Sequence, residues 1–439
     1  MNGCTRKPTF RCKHVFRCVG FAARSLQIYS QGKKHKSRHH SLFRRHQSTS
    51  DHQGNQTNLR SRRLGPLHAL LIKMPFYYDF AKNHDDNAFV RFSRKIYRPL
   101  GFHRGYNFPL WVILGGAIFG FGCARAQYLD INGIFARNKI INGDWLHWQS
   151  GHQYVGIIMH LAGVIPICFL LPWQFLPIVR HAAMWFHRIN GYLMIICLLF
   201  GNTGAFMIMR HSMGGDIATQ TGLGFVGIYT TVSLILAYYN IKCLQIDQHR
   251  AWMLRAWVVA GLIITQRIIQ IPTYHIMSSL GSFYFTMPCR TIAYIGENII
   301  GQNVLAPRYP ACVADPNAWV AVNVNFGGTP EEIGAAINAS FGASGIVALV
   351  LHVIGVEMYL HLTTAERDRL KQVSYEKQVA RGWIKRAGDV SRITPQALGD
   401  LPPWHPAVEE HLHMDRNGVL SGNESEDSTA KDNDPANVV

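Results

Sequence analysis

Three residues in this chain stand where solvent should not be. Arg267 sits in "LIITQRIIQIP" with Gln266 and Gln270 beside it, His160 in "VGIIMHLAG", and His352 in "ALVLHVIGVEMY". A guanidinium is a permanent cation whose forked N–H groups fit a carboxylate or phosphate. A neutral imidazole donates at one nitrogen, accepts at the other, and can polarise a carbonyl. At ~1.5 Å per residue, His160 lies roughly 13 Å below one face of a ~30 Å apolar layer, and Arg267 lies about 12 Å below the same face. His352 lies nearer the midplane, while Gln220 and Arg125 belong to the same outer half as Arg267. An arginine at that depth faces neighbouring helices or water, not acyl chains. The expected chemistry is an outward-opening polar pocket that binds or transforms a small anionic or amphiphilic molecule. Arg267 is its fixed cation, and His160, Gln266, Gln270 and His352 are its other candidates.

Two other readings use the same residues. In the first, His160 and His352 hold a single b-type haem for electron transfer, their levels differing by only ~5 Å. Paired histidines fourteen residues apart on one span, as two-haem membrane cytochromes use, do not occur: those positions hold Gln174, Gly201 and Ile263. In the second, the polar residues only join helices in a non-catalytic scaffold. No metal site is expected, because zinc-ligand spacing does not occur. Nor does a paired-carboxylate site, a nucleotide loop or a serine triad.

The elements that would position these residues are membrane helices. The fold class is an all-α polytopic transmembrane helical bundle. Long apolar runs at about 109–129, 151–179, 185–209, 217–241, 251–272 and 340–362 approach the roughly 20 residues that cross a bilayer. Helices are required because lipid offers no partner to bare backbone groups. The stretch "LGSFYFTMPCRTIAYIG" is apolar enough to make a seventh crossing, but Arg290 and Pro288 oppose it. Short-loop cations set the orientation. Arg180, His181, His187 and Arg188 mark the turn from the second run into the third, His249, Arg250 and Arg255 head the fifth, and Arg367, Arg369 and Lys371 follow the sixth. Both termini are therefore expected in the cytosol, in an endomembrane or plasma membrane. Glu357, a lone acid near the inner side, is expected to be paired or to snorkel.

The net charge of +18 would suit nucleic acid if it lay on a folded face. Residues 1–73 hold 16 Lys plus Arg and one acid, giving +15, and the rest of the 439 residues give +3. The basicity belongs to a polar tail, so nucleic acid is not an expected partner; the bilayer and a small molecule are. The expected organisation is a basic disordered tail at 1–73, read as an extended gene start ahead of Met74, and a cytosolic juxtamembrane segment at 74–108. A five-span core follows at 109–272, an extracytosolic loop at 273–339, the sixth span at 340–362, and a cytosolic tail at 363–439, helical and then disordered. The loop holds two cysteines, Cys289 and Cys312, and an extracytosolic pair is expected to oxidise. Asn338-Ala339-Ser340 spells a glycosylation triplet that abuts the membrane. Nothing in the sequence fixes an oligomeric state.

At "HRINGY", "MRHSMGG", "TTVSLILAYYNIKCLQIDQHRAWMLRAW" and "ITQRIIQ" the chain resembles a fungal branch of domain-of-unknown-function family number 2306. The matching positions are His160 with Gly163, His187 with Arg188 and Gly191, then His249, Arg250, Trp252, Met253 and Arg255, then Arg267. The likeness covers about residues 90–365. It implies a multi-pass membrane protein and carries no activity with it.

Overall fold

The computed structural model describes residues 88–102, 104–301 and 305–383, so the expectations for 1–73 and for the distal tail lie outside the described residues. Among the described residues, six helices are long and apolar enough to cross a membrane: Asn107–Leu129, Gly151–Phe175, Met184–Gly215, Ile217–Lys242, Ile246–Leu280 and Pro330–Leu362. Their outward faces carry Ile113, Leu114, Ile189, Ile196, Ile228, Ile235, Ile268 and Leu351, all exposed. Such a girdle is what lipid would cover.

Two spans are longer than hydropathy suggests. The fifth does not end at Pro272 but continues to Leu280, with the proline inside the helix. It is also jointed, because helix Ile246–Ala260 gives way to Leu262–Leu280 at Gly261. The sixth begins at Pro330 rather than residue 340. Thr329 is the capping residue, its backbone N–H donating to Glu332 Oε2 at 2.9 Å, and Pro330 takes the first turn, where no amide donor is needed. Asn338 therefore lies within a helix, 1% exposed, and is not an accessible glycan acceptor.

The second and third spans pack backbone to backbone. A Cβ on Gly163 would stand 2.5 Å from the Cys197 carbonyl oxygen and 2.6 Å from the Gly201 nitrogen. Small residues at such crossings let helices gain dispersion contact where no hydrophobic force drives association. The fifth and sixth spans are joined instead by polar groups. Gln266 Nε2 donates to Ser344 Oγ at 3.2 Å, and Gln270 Nε2 to the Ile337 carbonyl at 2.9 Å.

The stretch considered for a seventh crossing folds as strand β1 (Tyr284–Pro288) followed by helix Cys289–Ile299. β1 pairs antiparallel with β2 (Trp319–Asn323). Met287, Ile292, Ile295, Val322 and Ala335 bury a small core under this cap. Cys289 and Cys312 are joined in a disulfide across 23 residues. Closing a loop of that size removes about 3 kcal/mol of unfolded-chain freedom. Cys289→Ser should lower the melting temperature by an amount matching that loss, and dithiothreitol should do the same to the wild type.

At the opposite end, helix Thr364–Ala380 docks on the turn between spans four and five. Ser374 Oγ accepts the Ile246 amide at 2.9 Å, and Gln378 Nε2 donates to the Cys243 carbonyl at 3.1 Å.

Candidate functional site

The connection between the first two spans is short, yet it turns inward. Phe135, Ala136, Asn142, Asp144 and Trp148 are all buried. Gly143, with φ of 80°, makes the turn into the short helix Asp144–Trp148, and a Cβ there would collide with Thr291. The turn delivers Asp144, 1% exposed, to Lys139 at 3.5 Å. Asp144 Oδ1 accepts the Met213 amide at 2.8 Å and Oδ2 accepts Asn142 Nδ2 at 2.6 Å. Met213 is held at φ of 50°, a conformation that a side chain disfavours, and the carboxylate bond helps to keep it there.

Lys139 lies at the centre of an electropositive cluster. Burial pulls its pKa down, the charge of Asp144 opposes that, and the charges of Arg267 and Arg125 pull it down further. Burial likewise pushes the Asp144 carboxyl up, against the charge of Lys139. Arg125 donates to the Tyr128 hydroxyl at 2.7 Å and lies over the Phe121 and Tyr128 rings. Arg267 Nη1 donates to Gln270 Oε1 at 2.8 Å, and its guanidinium lies 5.2 Å over Phe341. Its Nε is sealed from solvent and has no hydrogen-bond partner among the described residues. Arg267 is close enough to Arg125 and Asp144 for their charges to act on it, and the charge of Lys139 reaches His160.

His160 and Arg267 are thus related through Lys139, a residue that hydropathy reads as one more loop cation. Three cations and one carboxylate share the cluster, and that carboxylate is already held by Lys139, Asn142 and the Met213 amide. His160 Nδ1 lies 3.0 Å from the Gly201 carbonyl. A carbonyl only accepts, so Nδ1 carries the proton and Nε2 keeps its lone pair.

The other predicted residues are placed elsewhere. His352 Nδ1 donates to the Val258 carbonyl at 2.6 Å, and its Nε2 lies 2.8 Å from Thr265 Oγ1. With both nitrogens engaged between spans five and six, His352 has no lone pair for an iron, so a His160–His352 haem pair does not fit. Gln266 and Gln270 bridge the last two spans and brace Arg267. His249 Nδ1 donates to the Ala237 carbonyl, Arg250 to Thr363, and Arg255 to Glu357 through two bonds of 2.6 and 2.9 Å. These motif residues fasten the far end of the bundle, as does Gln174, which donates to the His187 carbonyl. Arg188 lines a separate recess there with Leu244, Lys377 and Arg381.

A cavity of about 240 Å³ opens beside the cluster, walled by Asn142, Asp144, His147, His211, Arg290 and Asn338 among others. His147 and His211 stack at 4.0 Å. Burial first, then the neighbouring His211 and Arg290 charges, hold His147 down at about 4, so it is neutral at pH 7.

Residues 157–299 match the family model described as Predicted membrane protein (DUF2306). The central part of the chain is DUF2306-like. The matched segment carries His160, Arg267 and Cys289, whereas Arg125, Lys139, Asp144 and the sixth span lie outside it. Ava biosynthesis cluster protein G of Aspergillus versicolor is 24% identical over 315 residues, covering 61% of this chain and 91% of that relative. No solved structure matches.

Proposed function

We propose that this multi-pass membrane protein uses the Arg125–Lys139–Arg267 cluster, in the outer half of the bundle, to bind or transform a small anionic or amphiphilic molecule. The carrying observation is the charge imbalance, together with the unpartnered Nε of Arg267. Uncompensated charge in a low-dielectric interior costs on the order of 3 kcal/mol or more, and an anion seated there removes that cost. His160 Nε2 supplies an acceptor or base beside it. The name of the Aspergillus relative, a biosynthesis cluster protein, suits a small-molecule ligand. The cation-rich turns at the other end of the bundle support cytosolic termini, in an endomembrane or plasma membrane.

The test is a matched pair of amphiphiles, dodecanoate and dodecanol, added to the full chain in lipid nanodiscs. Dodecanoate should raise the melting temperature of the wild type and leave Arg267→Gln unmoved, and dodecanol should move neither. Equal shifts with acid and alcohol, or an undiminished acid shift in Arg267→Gln, would remove the anion from the account.

A further inference from the structure

We infer that the cavity under the disulfide-bearing cap is a second ligand site, which shares Asp144 with the Arg267 cluster but does not use the Arg267 guanidinium. It takes a compact ring-bearing molecule that carries a carboxylate and, apart from it, a hydroxyl or amide hydrogen. The cavity, about 240 Å³, lies just below the roughly 300–1,000 Å³ of drug-sized pockets, so the occupant is metabolite-sized.

Each part of that description follows from the wall. Phe285 and Trp319 give it an apolar aromatic side. Asn142 and Asn338 are 4% and 1% exposed, and the Oδ1 of each has no donor. Neither amide can be turned over. Asn142 Nδ2 faces the Asp144 carboxylate and Asn338 Nδ2 faces the Asn142 carbonyl at 3.0 Å, so a flip would set oxygen against oxygen. Each Oδ1 is thus a buried acceptor without a donor among the described residues, on a residue that walls the cavity, and an N–H or O–H is its complement. Asp144 is the one carboxylate in the wall, and Lys139 offsets its charge. Arg290, exposed at the rim, then sets the sign of the local potential, and an anionic group is the complement to it. The stacked His147 and His211 form another part of the wall.

The cavity is tested with three small probes on the full chain in nanodiscs: 4-hydroxyphenylacetate, 4-methoxyphenylacetate and 4-hydroxyphenylacetamide. The hydroxy acid should bind saturably, about tenfold tighter than the methoxy acid, whose ether leaves a buried acceptor unpaired. It should also outbind the amide by a similar factor. Arg290→Gln should erase the preference for acid over amide and keep that for hydroxyl over methoxy. Arg267→Gln should change neither preference, which separates this site from the cluster. No saturable binding, equal affinity for all three probes, or preferences lost only in Arg267→Gln would each overturn the inference.

Discussion

Asp144→Leu should lose about 3 kcal/mol of stability, the cost of leaving the Lys139 ammonium, on a side chain only 17% exposed, without its counter-charge. Two further donors lose their acceptor with it: the Met213 amide and Asn142 Nδ2. The left-handed turn at Met213 is then held by less. The double variant Lys139→Met/Asp144→Leu removes both charges and should recover most of the loss. The remaining deficit, about 1–3 kcal/mol, is that of the orphaned Met213 amide. Thermal unfolding of the wild type, Lys139→Met, Asp144→Leu and the double variant in one detergent gives the coupling directly. If the double variant loses the sum of the two single losses, Lys139 and Asp144 do not depend on each other, and the charge imbalance at Arg267 must be drawn up afresh.

Gly163→Leu should be the most damaging substitution in the membrane region. Its Cβ would sit 2.6 Å from Gly201 N and 2.7 Å from Gly201 Cα, so only separation of the second and third spans can relieve the clash. That separation also breaks the 3.0 Å bond between His160 and the Gly201 carbonyl, which fixes the imidazole tautomer. Overpacking against a rigid wall typically costs 1–3 kcal/mol, and here backbone meets backbone, so the loss should exceed about 3 kcal/mol. Gly224→Leu is the control, since a Cβ at Gly224 meets nothing within 4 Å. Size-exclusion profiles and melting curves should show Gly163→Leu aggregated or unfolded and Gly224→Leu unchanged. A well-folded Gly163→Leu would contradict the close crossing.

Much of this architecture is legible in the residues themselves. Runs of about 20 apolar residues announce six spans, because a bilayer of fixed thickness demands that length. Two cysteines in one loop announce their own pairing, and the depth of Arg267 marks a side chain turned toward its neighbours, half-buried with its Nε sealed. Two helix ends escape a hydropathy reading for different reasons. Pro272 looks like a stop but is tolerated inside a membrane helix where neighbours and side chains satisfy the freed carbonyl. The opening of the sixth span, "PEEIGAAINA", is too small and polar to register, although its Thr-Pro-Glu-Glu start is a helix-initiation signal.

The centre of the site is harder to read. Lys139 and Asp144 look like ordinary residues of a short connection. Their importance comes from contacts with Met213 across 74 and 69 residues, and the neighbouring Asn142 is held by Asn338 across 196, contacts that no local period records. "NKIINGDWLHW" does hold a hint: a lysine and an aspartate five residues apart, with a glycine turn between and tryptophans alongside, is an unusual composition for a solvated loop. His352 shows the converse. Its position made it a candidate, but only three dimensions reveal that both its nitrogens are already engaged.

The central claim is that position 267 faces a cation-rich polar site and not acyl chains. The direct measurement is charge-selective labelling of Arg267→Cys, with every cysteine outside the disulfide replaced by alanine. The account predicts that the anionic ethylsulfonate thiosulfonate reacts faster than the cationic trimethylammonium reagent, by about tenfold once each is scaled to its rate with a free thiol, because Arg125 and Lys139 remain. Dodecanoate should slow that reaction. Equal scaled rates, or quenching of a label at position 267 by quenchers carried on lipid tails, would contradict it.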